Sequence, residues 1–263
     1  MTAPQLEISE ISKNFGGLKA LDQVSLEVAS ETIVGIVGAN GSGKSTLFNI
    51  ASGFLKCDSG CVRLAGRPIT GLRPHHIAQM GLARSFQVAR APDQMTVLEN
   101  LLLAFADQRG ETIAGALLGR RPIAVQENRN LARALEILAL TNLAAHANAL
   151  SSELSGGQRK LLSIARILAR DASTVLLDEP AAGINPTLRG ILADLVRRLK
   201  TDHGKTIVLI EHDMRFVGDV CDHVFVLDAG RLIAAGTPAE VRNNDIVLNA
   251  YLGRGPARLK AAP

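Results

Sequence analysis

Tryptophan is absent from this 263-residue chain, and one tyrosine and seven phenylalanines are its only aromatic residues. A core without bulky rings has to be built from Leu, Ile, Val and Ala. The 47% hydrophobic content is enough for one large domain or two small ones. Cysteine is nearly absent too. Cys57, Cys61 and Cys221 are odd in number and form no Cys-x-x-Cys pair. A disulfide framework and a zinc site are therefore not expected, and free thiols in a reducing cytosol are. No run approaches the ~20 apolar residues that span a bilayer. The opening "MTAPQLEISE" lacks the basic start and apolar segment of a signal peptide. Any membrane role is expected to come through a partner. Charge of one sign is also missing: 29 cations face 25 anions, a net +4. The nearest approaches to a basic patch are Arg120, Arg121, Arg129 and Arg133, and the tail from Arg254 to Lys260. Both read as solvated charge, so no nucleic-acid partner is expected.

What is present is an alternation of strand and helix patterns. "QLEIS" and "LDQVSLEV" alternate around the break "FGGLK", and "TIVGIVG" is a buried strand. "LFNIASGFL" has helical spacing, and "GCVRLAG" reads as an edge strand. From Pro92 to Leu150 the chain turns to Ala, Leu and Glu, with helices around "TVLENLLLAFA" and "NRNLARALEILAL". Apolar β runs return in "STVLLD" and "KTIVLIEH". "HVFVLDAGRLIAAG" reads as a hairpin and "PAEVRNNDIVLNAYL" as a closing helix. Strands apolar on both faces and alternating with helices predict an α/β fold, a parallel sheet covered by helices with a helical subdomain inserted.

A glycine-rich stretch, "GANGSGKST", interrupts this apolar pattern between a strand and a helix. Gly38-x-x-x-x-Gly43-Lys44-Ser45 matches the phosphate-binding loop in the context that pattern requires. Backbone N–H groups must converge on phosphate oxygens, and side chains would block them. Gly38, Asn40, Gly41, Ser42, Gly43, Lys44, Ser45 and Thr46 are the candidate nucleotide contacts. Lys44 reaches the β- and γ-phosphates, and the Ser45 hydroxyl faces Mg²⁺. "TVLLDEP" then offers two carboxylates at a strand end: Asp178 to hold Mg²⁺ through water, and Glu179 as general base for the attacking water. His212 follows the next strand, and parallel strands end at one edge, which predicts His212 near Glu179. Gln87, in "RSFQVARA", is a lone glutamine that means nothing by itself.

"LSGGQ", Leu154 to Gln158, is a second glycine turn before a helical run. Ser155 is a good N-cap, and the amides of Gly156 and Gly157 are expected to stand open at the helix's positive end. One ATP does not need two such sites in one subunit, whereas two chains set head to tail would use both.

The order of phosphate loop, glutamine, "LSGGQ", "LLDEP" and histidine resembles the nucleotide-binding subunits of ATP-binding cassette (ABC) transporters. The resemblance extends to about Gly253. It implies a P-loop NTPase (RecA-like) core with an N-terminal antiparallel β subdomain, about 1–88 and 155–253. A helical subdomain is implied at about 89–154, all within a single ABC ATPase domain, 1–253, followed by a flexible basic tail, 254–263. ATP and Mg²⁺ are the implied cofactors. Phe15 resembles the aromatic that stacks on adenine, and Gln87 the loop glutamine that senses Mg²⁺ and the γ-phosphate beside the membrane partner. Ser155, Gly156, Gly157 and Gln158 resemble the residues that act on the opposite subunit's ATP, and His212 the γ-phosphate switch.

"FGGLKALDQVSLEV", the segment from about 105 to 130, "AAGINP", "IEHDM" and "AYLG" are similar to branched-chain amino acid importer ATPases, most of all the longer of that system's two. Where many cassettes carry aspartate after the "LLDEP" turn, this chain has Asn185. The implied partners are a second cassette in a homodimer or a heterodimer, two permeases, and indirectly a periplasmic solute-binding protein, at the cytoplasmic face of a bacterial inner membrane. The alternatives are a lipopolysaccharide-type exporter ATPase, a urea, amide or aromatic-acid importer, and a non-transport cassette.

Overall fold

The computed structural model describes residues 4–85, 92–106, 108 and 120–251. The chain packs as two units, one of Met1–Arg84, Ser173–Ala182 and Val196–Pro263, the other of Ser85–Ala172 and Gly183–Leu195. The first unit opens with β1 (Leu6–Phe15), β2 (Leu18–Val28), β3 (Ile33–Val37), α1 (Lys44–Ala51), β4 (Ser59–Leu64), β5 (Arg67–Pro68), α2 (Pro74–Gln79) and β6 (Leu82–Arg84). The second carries α3 (Val97–Leu102), α4 (Arg120–Leu140) and α5 (Gly156–Ala169). The first resumes with β7 (Thr174–Asp178), and α6 (Pro186–Thr201) divides between the two. Then come β8 (Thr206–Ile210), α7 (Met214–Val220), β9 (His223–Asp228), β10 (Arg231–Gly236), α8 (Pro238–Arg242) and α9 (Asp245–Tyr251).

Two sheets build the first unit. The smaller is antiparallel, in the order β2-β1-β4-β5, and the larger runs β10-β9-β3-β8-β7-β6. Strands β9, β3, β8, β7 and β6 are parallel, and β10 is antiparallel to β9. Every residue of β3, β7 and β8 is buried, as a parallel strand covered on both faces requires. Strands β1 and β2 alternate instead, and Ile8, Ile11, Leu21, Val24 and Leu26 join Ile36, Leu47, Phe48, Leu176 and Val208 in one apolar core. The segments after β3, β7 and β8 leave the same carboxyl edge, where ligands of open α/β sheets bind.

In the second unit, α5 buries Leu161, Leu162, Ile164, Ala165 and Leu168, one stripe of a 3.6-residue period. Asn100 is fully buried, and its amide donates to the carbonyls of Pro92, Met95 and Thr96. By packing, α5 and the turn before it belong with the helices of the second unit.

Three local expectations change. Strand β4 is not an edge strand: a turn at Ala65 and Gly66 leads into β5, and Pro68, with no N–H to give, takes the edge. The closing helix is two helices. Asn244 Oδ1 accepts from the N–H groups of Ile246 and Val247 and starts a new helix, as asparagine does when it competes with the backbone. Strand β6 was not anticipated at all.

Candidate functional site

The phosphate loop lies between β3 and α1. Gly43 stands before α1 with φ 104°, a conformation that costs other residues a backbone clash. A Cβ there would meet the Ala20 carbonyl at 2.6 Å, and one on Gly38 would run into the Leu227 carbonyl. Both glycines are required by the loop's own walls. Lys44 is 5% exposed, and its ammonium donates to the carbonyls of Gly38 and Ala39 at 2.8 Å each and to Ser42 Oγ at 3.3 Å. Burial lowers the Lys44 pKa, against the pull of Glu179 and Asp178, which favour its charged form. Ser42 is buried, Thr46 half-buried, and Asn40, Gly41 and Ser45 are exposed.

Asp178 ends β7 opposite Ile210 of β8. Glu179 follows with φ 48°, although it is not glycine and precedes Pro180. Both circumstances disfavour that conformation. Its Oε1 lies 2.7 Å from His212 Nε2, so the structure brings these two together. Which of the pair holds the shared proton depends on the imidazole tautomer. Phe15 ends β1 with 46% exposure, and the Lys13 ammonium lies 5.6 Å from its ring centroid. Gln87 lies outside the described residues.

The "LSGGQ" turn belongs to the second unit. Ser155 Oγ accepts from Gln158 N, and Gln158 Oε1 accepts from Ser155 N at 2.9 Å, a reciprocal cap at the head of α5. The amide of Gln158 also reaches His146 Nε2 at 2.8 Å. Gly156 is exposed, and a Cβ on it would meet nothing within 4 Å. Gly157 is buried, and a Cβ on it would strike Leu188. Its absent side chain serves packing within the unit.

Two residues escaped sequence reasoning. Arg84, at the end of β6, donates to Asp178 Oδ2 at 3.0 Å, to Asn49 Oδ1 at 2.7 Å and to Ser52 Oγ at 3.0 Å. It ties the carboxylate of β7 to the helix that follows the phosphate loop. A three-residue strand leaves no periodicity that could have marked it. Glu211 is 2% exposed and accepts from Ala181 N at 2.6 Å and His212 N at 3.2 Å. Its burial raises the carboxyl pKa, against the hydrogen bonds that lower it.

The residues present fit a magnesium ion. Ser45 and Asp178 supply hard oxygen donors near the buried Lys44 ammonium, and magnesium usually takes few protein ligands and keeps water and phosphate oxygens. Among the described residues no group of three or more His, Cys, Asp or Glu could hold a metal, which such a site does not require.

The family model for the ABC transporter matches residues 21–182. The chain belongs to the ABC transporter family. Within that family, the model for the branched-chain amino acid ATP-binding cassette transporter matches residues 231–257. The cassette is 40% identical to the high-affinity branched-chain amino acid transport ATP-binding protein LivG of Salmonella typhimurium, over 96% of this chain and 99% of that one. The ADP conformation of MJ1267, an ATP-binding cassette of an ABC transporter, superposes with a TM-score of 0.81 at 34% identity, covering 96% of this chain and 100% of that one. A dimeric, post-hydrolysis cassette, MJ0796 bound to ADP and phosphate, gives 0.74 at 25% identity over 89% and 98%. The α/β fold is that of a P-loop ATPase cassette, and the chain is an ATPase. Among the described residues no helix is long and apolar enough to cross a membrane.

Proposed function

We propose that this cassette hydrolyses ATP to drive uptake of branched-chain amino acids through two permease subunits at the cytoplasmic face of a bacterial inner membrane. The observation that carries this reading is the likeness to LivG along nearly the whole of both chains. The separate match at residues 231–257 supports it over an exporter or a non-transport cassette. A periplasmic solute-binding protein would deliver the solute, and the second cassette is either another copy or a sister chain.

In this reading the buried Lys44 exchanges its loop carbonyls for the β- and γ-phosphate oxygens, and Phe15 stacks on adenine. Ser45, Asp178 and Gln87 would hold Mg²⁺, which when bound supplies charge neutralisation on the phosphate oxygens. Glu179 takes a proton from water as the water oxygen bonds to the γ-phosphorus and the bond to ADP breaks. His212, at 2.7 Å from Glu179, fixes the direction of that carboxylate and reports on the γ-phosphate. Ser155, Gly156, Gly157 and Gln158 close on ATP held by the opposite subunit. Nucleotide therefore favours the closed pair, and hydrolysis releases it.

The test of the solute assignment is ATP turnover by the cassette reconstituted with its permeases and binding protein. Leucine, isoleucine or valine should stimulate it, and stimulation only by urea, an amide or an aromatic acid would reassign the importer. The test of the base is Glu179→Gln, which keeps the shape and loses the proton acceptor. Turnover should fall by about 10²–10⁴-fold with ATP affinity retained. The mutant should also elute as a pair on sizing in ATP and Mg²⁺, and a monomer there would remove the closed-pair mechanism.

A further inference from the structure

Glu179 holds a backbone conformation that its own residue type and the following proline both oppose. Such a conformation persists only where its surroundings over-determine it. The hydrogen bonds around it come from a short stretch of chain. Glu179 N donates to the Ile210 carbonyl at 3.0 Å, and Ala182 N donates back to the Glu179 carbonyl at 3.3 Å. Between these, the Glu211 carboxylate takes Ala181 N on Oε1 and His212 N on Oε2. One buried carboxylate thus joins the turn that carries Glu179 to the turn that carries His212.

We propose that Glu211 is a positioning residue for hydrolysis, a clamp that holds Glu179 and His212 in register before the reaction. The proposal rests on the reading of Glu179 as the base. A buried carboxylate is a costly way to fix two loops, because its charge loses hydration. A neutral side chain cannot replace it fully. Glutamine at this position has one acceptor oxygen, and its amide nitrogen would face an N–H donor.

The experiment uses the full chain with Glu211→Gln and Glu211→Ala. Amide hydrogen exchange is followed across residues 177–184 and 209–214, together with ATP turnover, KM and nucleotide affinity. Exchange at Ala181 and His212 should speed up by about tenfold or more in Glu211→Ala. Turnover should fall by about tenfold or more at a KM within about twofold of the parent, the pattern of an interaction needed only in the transition state. Glu211→Gln should be intermediate on both measures, and it carries the test alone if the alanine variant does not fold. Unchanged exchange at Ala181, or turnover and KM that shift only in step with lost thermal stability, overturns the clamp. The exchange measurement needs no catalysis, so it separates failure of the clamp from failure of the base. If exchange rises in Glu211→Ala while Glu179→Gln still hydrolyses ATP at the parental rate, the base assignment is wrong and the proposed catalytic role falls with it, although the clamp between the loops stands.

Discussion

The chain has two glycine turns that each open a helix, and they use glycine for opposite reasons. At the phosphate loop, Gly38 and Gly43 sit against their own unit's backbone, with no room for a Cβ and with φ values of 153° and 104°. The loop is shaped by its walls. At "LSGGQ", Ser155 and Gln158 fix the turn reciprocally without help from the glycines. Gly157 makes room for Leu188, and Gly156 faces open space in an ordinary conformation. The first turn is complete within its unit. The second leaves Gly156 facing open space, the surface that the proposed approach of another chain's nucleotide would use.

The comparison breaks most visibly at Lys44. Lys44→Ala should lose both nucleotide affinity and turnover, the latter by about a thousandfold or more, since a charge aimed at the reacting phosphate is removed. Equilibrium binding of a fluorescent ATP analogue and steady-state hydrolysis measure the two losses, and near-parental values would dismiss the loop as the nucleotide site. Ser155→Arg should lose turnover by about a hundredfold or more while its own nucleotide affinity stays within about twofold. Mixed pairs of Lys44→Ala and Ser155→Arg chains would then regain part of the activity, because one composite site carries both lesions and the other neither. If the working pair is formed with a sister cassette, the two changes have to be divided between the sisters. A Ser155→Arg chain that loses its own affinity as fully as Lys44→Ala would put both turns in one site.

The smallest effects sharpen the contrast within "LSGGQ" itself. Gly157→Ala drives a methyl into Leu188 and should destabilise the chain by about 1–3 kcal/mol. Gly156→Ala should leave it level or stabilise it by up to about 1 kcal/mol, because alanine loses less backbone freedom in a helix. Turnover should nonetheless fall in Gly156→Ala if a phosphate must approach there. Thermal unfolding of both variants beside their hydrolysis rates decides it, and a stabilised, fully active Gly156→Ala would mean the open space has no use.

The parts of the site legible in sequence were those in which the order of neighbouring residues specifies the chemistry. Gly38 to Ser45 and Asp178-Glu179 are such runs, and strand adjacency carried His212 to Glu179, because β7 and β8 are parallel neighbours. The residues that escaped act across the fold. Arg84 meets Asp178 from 94 positions away, and Glu211 meets Ala181 from 30. Neither has a local pattern, since a lone Arg or Glu at a strand end is ordinary in sequence and informative only through its partner. The edge position of β4 failed for a related reason: the strand that displaced it, β5, is only two residues long. The packing of Gly157 against Leu188 was not legible, because the turn pattern says where a glycine stands and not which neighbour excludes a side chain.

The Lys44 ammonium already has two carbonyl oxygens at 2.8 Å. In the proposed role its encounter with a nucleotide would be an exchange of oxygen partners rather than the capture of a bare cation. What it would gain is the Coulomb attraction of a formal negative charge in place of a carbonyl dipole. A ligand with neutral oxygens, such as a nucleoside or a phosphate triester, would offer little that the loop does not already provide. In the proposed role the loop would sort its ligands by formal charge, with the two carbonyls that hold Lys44 setting the threshold a newcomer has to exceed.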